Sequence, residues 1–265
     1  MKFVRFTSAG HPKGVYGLVG DQGEIRVLKG GLFDKPEPTG EVLAEKDIVR
    51  YLAPVDPPNI LCVGRNYREH AAETADELPS APLLFIKATS ALNAHECDVV
   101  IPAIAPEFID YEGELVAIIG KAAKNVSVED ALSYVFGYSC GNDVSARDCQ
   151  KSDGQWARAK SVDTFAPIGP YVVTDVDVSD VRVRMLLNGE EMQNQSTKDM
   201  VFSVAYLVSY FSKTMTLLPG TVLYTGTPSG IGLARKPPRL LRPGDVCEVV
   251  IDKVGTLRNR MVASS

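Results

Sequence analysis

Two glutamates, Glu112 and Glu114, stand two positions apart in residues 110–116. If this stretch is a β-strand, the two side chains point to the same face, because side chains alternate along a strand. Two carboxylates so placed repel each other unless a cation lies between them. Mg²⁺ binds carboxylate oxygens and keeps positions open for water or substrate. The same spacing is also common on solvated strand edges, so the pair alone does not establish a metal site.

A third carboxylate, Asp143, ends an apolar run through Gly141 and Asn142. At the end of a strand it could complete a set of metal ligands, or it could cap a helix that begins near Val144. Such a helix would place three polar side chains on one face, and these are Arg147, Gln150 and Lys151. That face would be a polar wall for an anionic substrate or a solvated surface.

One of the three histidines of the chain, His70, stands three residues before Glu73. On a helix these side chains are neighbours. A carboxylate beside an imidazole fixes its tautomer and raises its basicity, as a general base requires. A plain surface pair is the alternative.

A glycine-rich stretch, residues 225–232, follows a predicted strand and contains Thr227. Its backbone could approach a ligand closely, but it has neither phosphate-loop nor dinucleotide spacing. Lys87 and Lys160 follow apolar or small residues and could point into a pocket, although most lysines are solvated.

The composition is that of an ordinary globular protein, with 265 residues, 45% hydrophobic and 23% charged. The net charge of −5 argues against nonspecific binding to nucleic acid or anionic lipid. The five cysteines are odd in number and form no CxxC pair, which favours a reducing compartment. The N-terminus lacks the apolar stretch of a signal peptide, and residues 201–211 are too short to span a bilayer. We therefore expect a cytoplasmic protein that does not enter membranes.

The first part of the chain predicts a small β domain over residues 1–54, with a catalytic domain over residues 55–265. Strands are predicted at residues 3–6, 16–19 and 24–28, with a turn at 21–23 and a short helix at 45–52. Three prolines in residues 54–58 mark the boundary.

The second part predicts more strands than helices. The strands are at residues 59–64, 83–87, 114–119, 171–173, 181–187, 221–224 and 246–251, and Asn188-Gly189 predicts a hairpin. The helices are at residues 66–77 (or a mobile segment), 128–132 with Ser127 as N-cap, and 201–213. The fold class is therefore mainly β (α+β), without the regular alternation of a doubly wound sheet.

Six motifs in a fixed order resemble the fumarylacetoacetate hydrolase family, in its short bacterial type. They are NYREH, FIKATSAL, DYEGELVAIIG, GYSCGNDVSARDCQ, RAKSVDTFAPIGP and LYTGTPSGIG, and the resemblance covers residues 59–255. It implies a β-sandwich roll with a few helices and a small N-terminal β unit, usually as a homodimer.

The resemblance also implies roles for individual residues. Glu112, Glu114 and Asp143 would bind Mg²⁺ or Mn²⁺, with Ca²⁺ as a further candidate. His70 and Glu73 would form a catalytic dyad, and Lys160 would lie near the bound substrate. The substrate-binding residues would be Arg147, Gln150, Thr227 and Lys87.

The chemistry implied is hydrolysis of a C–C bond in a small acylpyruvate-type 2-oxo acid through a metal-bound enolate. The motifs leave open an isomerase of 2-hydroxyhepta-2,4-diene-1,7-dioate type or an oxaloacetate decarboxylase, as in aromatic catabolism. A non-catalytic metal-binding protein is an alternative of another class, against which the presence of His70 and Glu73 counts. Residues 74–82 are expected to help select the far end of the substrate.

Overall fold

The computed structural model describes residues 1–75 and 77–264. The N-terminal part contains five strands: β1 (Lys2–Thr7), β2 (Val15–Val19), β3 (Ile25–Lys29), β4 (Glu37–Leu43) and β5 (Arg50–Tyr51). The predicted turn at residues 21–23 is confirmed between β2 and β3.

The helix predicted at residues 45–52 is wrong beyond one short 3₁₀ turn at Glu45–Asp47. The backbone that follows pairs with β1 instead. Val49 N–H donates to the Thr7 carbonyl and Leu52 N–H to the Arg5 carbonyl. The backbone groups are therefore satisfied between strands, which leaves them nothing to gain from a helix.

The remaining strands confirm the mainly β class. They are β6 (Ile60–Gly64), β7 (Leu83–Lys87), β8 (Leu92–Ala94), β9 (Val99–Ile101), β10 (Ile109–Asp110), β11 (Gly113–Ile119), β12 (Val135–Asn142), β13 (Ser145–Ala146), β14 (Ala166–Val173), β15 (Arg182–Leu187), β16 (Glu190–Ser196), β17 (Val222–Tyr224), β18 (Val246–Ile251) and β19 (Gly255–Ala263). The predicted hairpin at Asn188-Gly189 joins β15 to β16, with φ of 54° and 82°.

The helices are few and short. They are α1 (Arg68–Glu73), α2 (Arg147–Asp153), α3 (Ala157–Lys160) and α4 (Val204–Thr214), with 3₁₀ turns at Thr89–Ala91, Ala131–Tyr134, Thr197–Asp199 and Gly232–Ala234. The helix predicted at 66–77 is shorter, and its residue 76 lies outside the described residues. None of the helices in the described part of the chain is long and apolar enough to cross a membrane.

Three helix boundaries differ from the predictions. The helix expected near Val144 begins at Arg147, because Ser145–Ala146 first pairs with β10 as a strand, so Asp143 is not its cap. Ser127 Oγ does accept a bond from Asp130 N–H, but the helix that follows is a 3₁₀ turn. The helix α4 begins at Val204, three residues after the predicted start, and Ser203 is its N-cap.

One large sheet carries both parts of the chain. Its order is β4-β3-β2-β1-β14-β12-β11-β17-β6-β7, so the N-terminal strands continue the sheet through the β1–β14 pair. A second sheet has the order β16-β15-β18-β19-β9. The central strand β11 lies between β12 and β17, where both of its edges are paired.

The strand β11 is buried along its whole length, and its two faces belong to different cores. Leu115, Ala117 and Ile119 pack with residues of the second sheet. Val116 and Ile118 pack on the other face of the large sheet. Glu114 points to the same face as Val116 and Ile118, because side chains alternate along a strand. It is the acidic residue near the start of an otherwise apolar, buried strand.

Candidate active site

Three buried carboxylates meet where β11 begins and β12 ends. Gly113 is paired with Asn142 across the two strands, which brings Glu112 and Glu114 beside Asp143. Asp143 N–H donates to the Glu112 carbonyl at 2.8 Å. One carboxylate oxygen from each residue lies within 4.8 Å of the others, and all three residues are buried.

Two of the three carboxylates, Glu112 and Glu114, have pKa values shifted in opposite directions. Burial raises the pKa of Glu112, but Lys160 and Arg147 outweigh it and hold that pKa below its usual range. Burial raises the pKa of Glu114 well above its usual range, and the charges of Asp143 and Glu112 raise it further. Glu114 therefore favours its protonated form unless another cation approaches.

Glu114 differs from its neighbours in its partners. Its Oε2 accepts a hydrogen bond from Gly226 N–H at 2.7 Å, and within the described residues it has no ion pair. A divalent cation would supply the missing positive charge, and its preference for oxygen ligands matches this donor set. The cluster therefore fits a hard divalent metal ion.

Two lysines neutralise the other carboxylates. The Lys160 ammonium donates to Glu112 Oε2 at 2.6 Å and to Asp143 Oδ2 at 2.8 Å. Although burial lowers the pKa of Lys160, Asp143 and Glu112 raise it to a net increase, so Lys160 is charged. The Lys87 ammonium lies behind Asp143, where it bonds Asp143 Oδ1 and the carbonyls of Val144 and Phe165.

Arg147, at the start of α2, joins several acidic and polar groups. Its guanidinium donates to Asp110 Oδ2 at 3.0 Å, to Glu112 Oε1 at 2.7 Å and to Gln150 Oε1 at 3.0 Å. Burial lowers the pKa of Arg147, but Glu112 and Asp110 raise it further than burial lowers it. The guanidinium is therefore fixed in place as well as charged.

The histidine pair forms on α1 as the spacing predicts. His70 Nδ1 lies 2.8 Å from Glu73 Oε1, and Glu73 Oε2 accepts a bond from Gly230 N–H at 2.8 Å. The carboxylate is thus fixed on both oxygens. It leaves His70 Nε2 as the nitrogen available for proton transfer.

The glycine-rich stretch contacts the site mainly through its backbone. Three of its N–H groups donate to three different carboxylates: Gly226 to Glu114, Gly230 to Glu73 and Gly232 to Asp110. Thr227 Oγ1 donates to the Gly113 carbonyl and accepts from Gln193 Nε2. The stretch therefore holds the carboxylates from outside the cavity while Thr227 lines it.

A cavity of about 770 Å³ joins these groups. Seven of the residues predicted for the site line it: His70, Glu112, Glu114, Arg147, Gln150, Lys160 and Thr227. Glu73 supports His70, and Asp143 and Lys87 are the buried residues behind the lining. Lys87 was predicted to bind substrate, but its ammonium is engaged with three protein acceptors.

Several residues of the site escaped the sequence analysis. Phe85 and Trp156 form one wall of the cavity with their rings 5.1 Å apart, and the Lys160 ammonium lies 5.1 Å from the Phe85 ring. Asp110 is fully buried beneath Arg147. Its position two residues before Glu112 repeats the spacing of Glu112 and Glu114, and that signal could have identified it.

Two family models match the chain. The model described as "Fumarylacetoacetate (FAA) hydrolase C-terminal" matches residues 59–262. The model described as "Rv2993c-like, N-terminal" matches residues 1–54. The chain belongs to the fumarylacetoacetate hydrolase family. Members of this family are enzymes, and the resemblance stated from the six motifs is confirmed.

Relatives in this family carry different activities in their names. The chain is 40% identical to the 2,4-didehydro-3-deoxy-L-rhamnonate hydrolase of a Sphingomonas species, over 98% of this chain and 96% of the relative. It is 41% identical to the oxaloacetate tautomerase YisK of Bacillus subtilis, over 80% of this chain and 73% of that relative. It superposes with a TM-score of 0.88 on the 2-hydroxyhepta-2,4-diene-1,7-dioate isomerase of Mycobacterium marinum, at 36% identity over 100% of this chain and 99% of the other.

Proposed function

We propose that this chain is a divalent-metal-dependent hydrolase that cleaves a C–C bond in a small acylpyruvate-type 2-oxo acid. One observation carries the proposal: Glu112 and Glu114 line the same cavity as His70, whose imidazole is backed by Glu73. A carboxylate set for a metal ion and a supported base are the two parts that metal-assisted hydrolysis needs.

Mg²⁺ or Mn²⁺ suits the three carboxylates Glu112, Glu114 and Asp143, and Ca²⁺ accepts similar oxygen ligands with a larger coordination number. When bound there, the ion would supply a Lewis acid that polarises a 2-oxo acid and stabilises negative charge as it develops. The lysines Lys87 and Lys160 form ion pairs with two of the carboxylates, Asp143 and Glu112.

The dyad supplies the proton transfer. With Nδ1 bonded to Glu73, His70 takes a proton from water on Nε2. The hydroxide adds to the carbonyl carbon remote from the carboxylate, and the bond from that carbon to the neighbouring methylene breaks. The electron pair passes to the methylene carbon as an enolate, and His70 returns its proton there. The products are a carboxylic acid and pyruvate.

The other residues would bind and orient the substrate. Arg147 and Gln150 form a polar wall for its carboxylate, and Lys160 places a positive charge next to the developing enolate. Thr227 offers its hydroxyl, which now donates to the Gly113 carbonyl. Lys87 acts through Asp143 and not by touching the substrate.

The name of the Sphingomonas relative supports the substrate class. It describes a 3-deoxy sugar acid oxidised at carbons 2 and 4, which is a 2-oxo acid with a second carbonyl two carbons away. This is the arrangement that the hydrolysis requires. The match extends over nearly the whole of both chains.

An isomerase, tautomerase or decarboxylase of the same site is the second candidate. The names of the Bacillus and Mycobacterium relatives favour the tautomerase and the isomerase. In an isomerase or tautomerase, His70 and Glu73 would move a proton between carbon and oxygen without adding water. In an oxaloacetate decarboxylase, no attacking water is needed either.

We also propose a homodimer in the cytoplasm that serves aromatic catabolism, as the family resemblance implies. All five cysteines are free, which supports a reducing compartment. The acidic sequence supports a small anionic substrate held by local cations, and not nucleic acid.

A substrate panel tests the function. Purified protein is assayed with acetylpyruvate, fumarylpyruvate, a 2,4-dioxo sugar acid, oxaloacetate and a hydroxyheptadienedioate, each with Mg²⁺, with Mn²⁺ and with EDTA. Metal-dependent release of pyruvate from an acylpyruvate supports the hydrolase. If the protein only shifts a proton or only releases CO₂, the hydrolase proposal is replaced by the second candidate. Absence of turnover on every substrate favours the non-catalytic metal-binding alternative.

A further inference from the structure

The carboxylate of Asp110 has no part in the proposed chemistry, although it is fully buried beside it. Its Oδ1 accepts bonds from the N–H groups of Tyr111 and Gly232 at 2.9 and 2.8 Å. Its Oδ2 accepts from Leu233 N–H at 3.2 Å and from Arg147 Nε at 3.0 Å. A buried charge requires such partners, and here they come from two separate parts of the site.

The first part is the guanidinium of Arg147. It is shared between Asp110 and Glu112, with Arg147 Nη2 at 2.9 Å from Asp110 Oδ2 and 2.7 Å from Glu112 Oε1. Two anchors define both the position and the tilt of the planar guanidinium. With Asp110 removed, Glu112 and Gln150 would be the remaining side-chain anchors.

The second part is the end of the glycine-rich stretch. Gly232 and Leu233 open the 3₁₀ turn Gly232–Ala234 and both donate to Asp110. A Cβ on Gly232 would lie 2.6 Å from Asp110 Oδ1 and 2.2 Å from the Arg239 carbonyl. The glycine is therefore needed for the close approach of the backbone to the carboxylate.

The same stretch reaches the site twice more, at Gly226 on Glu114 and at Gly230 on Glu73. Asp110 holds the C-terminal end of this stretch through Gly232 N–H. It therefore helps to position the N–H groups of Gly226 and Gly230. One buried carboxylate is thus connected to Glu112 through Arg147 and to Glu114 through the loop backbone.

We propose that Asp110 is a positioning residue that holds Arg147 against Glu112 and fixes the end of the glycine-rich stretch, so that the carboxylates are preorganised for metal and substrate. The inference rests on the proposed function of the site. Groups of this kind, one contact removed from a metal centre, alter metal affinity or activity by about 10- to 100-fold when they are changed.

Two substitutions test it in a graded way. Asn keeps one acceptor oxygen, so Asp110→Asn can accept from Gly232 N–H, or from Leu233 N–H and Arg147 together, but not from all three. Asp110→Ala accepts from none of them. We expect kcat/KM and Mg²⁺ affinity to fall by about 10-fold in Asp110→Asn and by about 100-fold in Asp110→Ala. The loss should lie in KM and in metal affinity more than in kcat, because Asp110 bonds Arg147 directly, whereas it reaches Glu73 only through the backbone of the glycine-rich stretch.

A measurement on metal-free protein adds a readout independent of turnover. Hydrogen exchange of the Gly232 and Leu233 amides should be faster in Asp110→Ala than in wild type. The matched control is Asp252→Asn, which breaks another Asp–Arg pair, with Arg184 at 2.8 Å, outside the cavity lining. It should leave kinetics, Mg²⁺ affinity and these two amides unchanged.

The outcomes separate the inference from the function. A folded Asp110→Ala protein with wild-type Mg²⁺ affinity, kcat and KM overturns the positioning role. The proposed function still stands in that case, because the wild-type protein turns over substrate. An equal loss in Asp252→Asn also overturns it, since the effect would then be general. Wild-type protein that neither binds Mg²⁺ nor turns over any substrate overturns the proposed function, and the inference with it.

Discussion

The carboxylate side of the cavity lies on β11 and directly beside the ends of β11 and β12, whereas the histidine side lies on a six-residue helix. Glu114 belongs to β11, which is buried throughout and paired on both edges. His70 belongs to α1, whose N-cap has no side-chain hydrogen bond. The helix is tied to the glycine-rich stretch through Glu73 to Gly230 and through Ser229 to Glu69. The metal side is thus built by the sheet, and the base side is held by a few hydrogen bonds.

This difference indicates separate roles for the two sides of the cavity in the proposed mechanism. In the proposed mechanism, the carboxylates that would bind the metal lie on β11 or directly beside the ends of β11 and β12, where paired strands limit backbone movement. The proposed base, His70, lies on a short helix with few backbone constraints, which would allow it to move as substrate enters and product leaves. Changes on the strands should therefore affect metal binding and turnover together, and changes on the helix should affect turnover alone.

The largest effect is expected for Glu114→Gln. The amide is nearly isosteric, but it cannot supply the anionic oxygen, so Mg²⁺ binding weakens and turnover falls to background. The folded protein should lose no stability without metal, because Glu114 already favours its neutral form. Calorimetric Mg²⁺ titration, steady-state kinetics and thermal unfolding measure these three quantities. Wild-type turnover with intact metal affinity would refute the role of the carboxylates.

His70→Ala should separate the two sides. Loss of a general base lowers kcat by about 10²- to 10⁴-fold, while Mg²⁺ affinity stays near the wild-type value because the carboxylates are untouched. The control is His11→Ala, which removes an exposed histidine paired with Glu41. Unchanged cleavage of an acylpyruvate by the His70 variant would remove the dyad from the mechanism.

Lys87→Met tests the buried support of Asp143. The variant leaves a buried carboxylate without one of its cations, which costs about 3–5 kcal/mol of unfolding free energy. Lys124→Met is the control, since its ammonium also bonds two backbone carbonyls but is exposed. Urea denaturation measures the free energy of unfolding of both variants. Equal values would show that the Lys87–Asp143 pair does not stabilise the fold.

Ser229→Ala should have the smallest effect. It removes an exposed hydrogen bond of 3.2 Å to Glu69, one of the two links between α1 and the glycine-rich stretch. Such a bond contributes about 1 kcal/mol or less, so kcat/KM should change by less than about 5-fold. A loss as large as that of His70→Ala would mean that the helix depends on this link far more than its geometry indicates.

Sequence reasoning was most successful on the strand side of this comparison. A run rich in β-branched residues predicted β11, and the alternation of side chains along a strand predicted a shared face for Glu112 and Glu114, because both are local properties of the sequence. The spacing of His70 and Glu73 was also local and was confirmed as a hydrogen-bonded pair. The order of the six family motifs then indicated that both features belong to one site.

Contacts between distant segments were the part that the sequence could not supply. The 3₁₀ turn and strand after Ala44 replaced a predicted helix because β1 offered backbone partners 42 and 47 positions away, at Thr7 for Val49 and at Arg5 for Leu52. The burial of Lys87 behind Asp143 depends on contacts with Asp143, Val144 and Phe165, which are 56, 57 and 78 positions away. The contact of Gly232 with Asp110 spans 122 positions, and no pattern within either segment indicates it.

The raised pKa of Glu114 gives the central claim its most direct test. In metal-free protein the raised pKa stabilises the fold below the ordinary glutamate range, and this contribution is lost as pH rises through the folded-state pKa. Metal binding requires the ionised carboxylate, so Mg²⁺ should displace the proton of Glu114 and bind more tightly as pH rises.

Calorimetric titration of the metal-free protein with Mg²⁺, in two buffers of different ionisation enthalpy near pH 7, measures both binding and proton release. We predict one site per chain, with a net release of protons that disappears in Glu114→Gln. Absence of binding in the wild type, or wild-type Mg²⁺ affinity in Glu114→Gln, would contradict the assignment of Glu112, Glu114 and Asp143 as a metal centre.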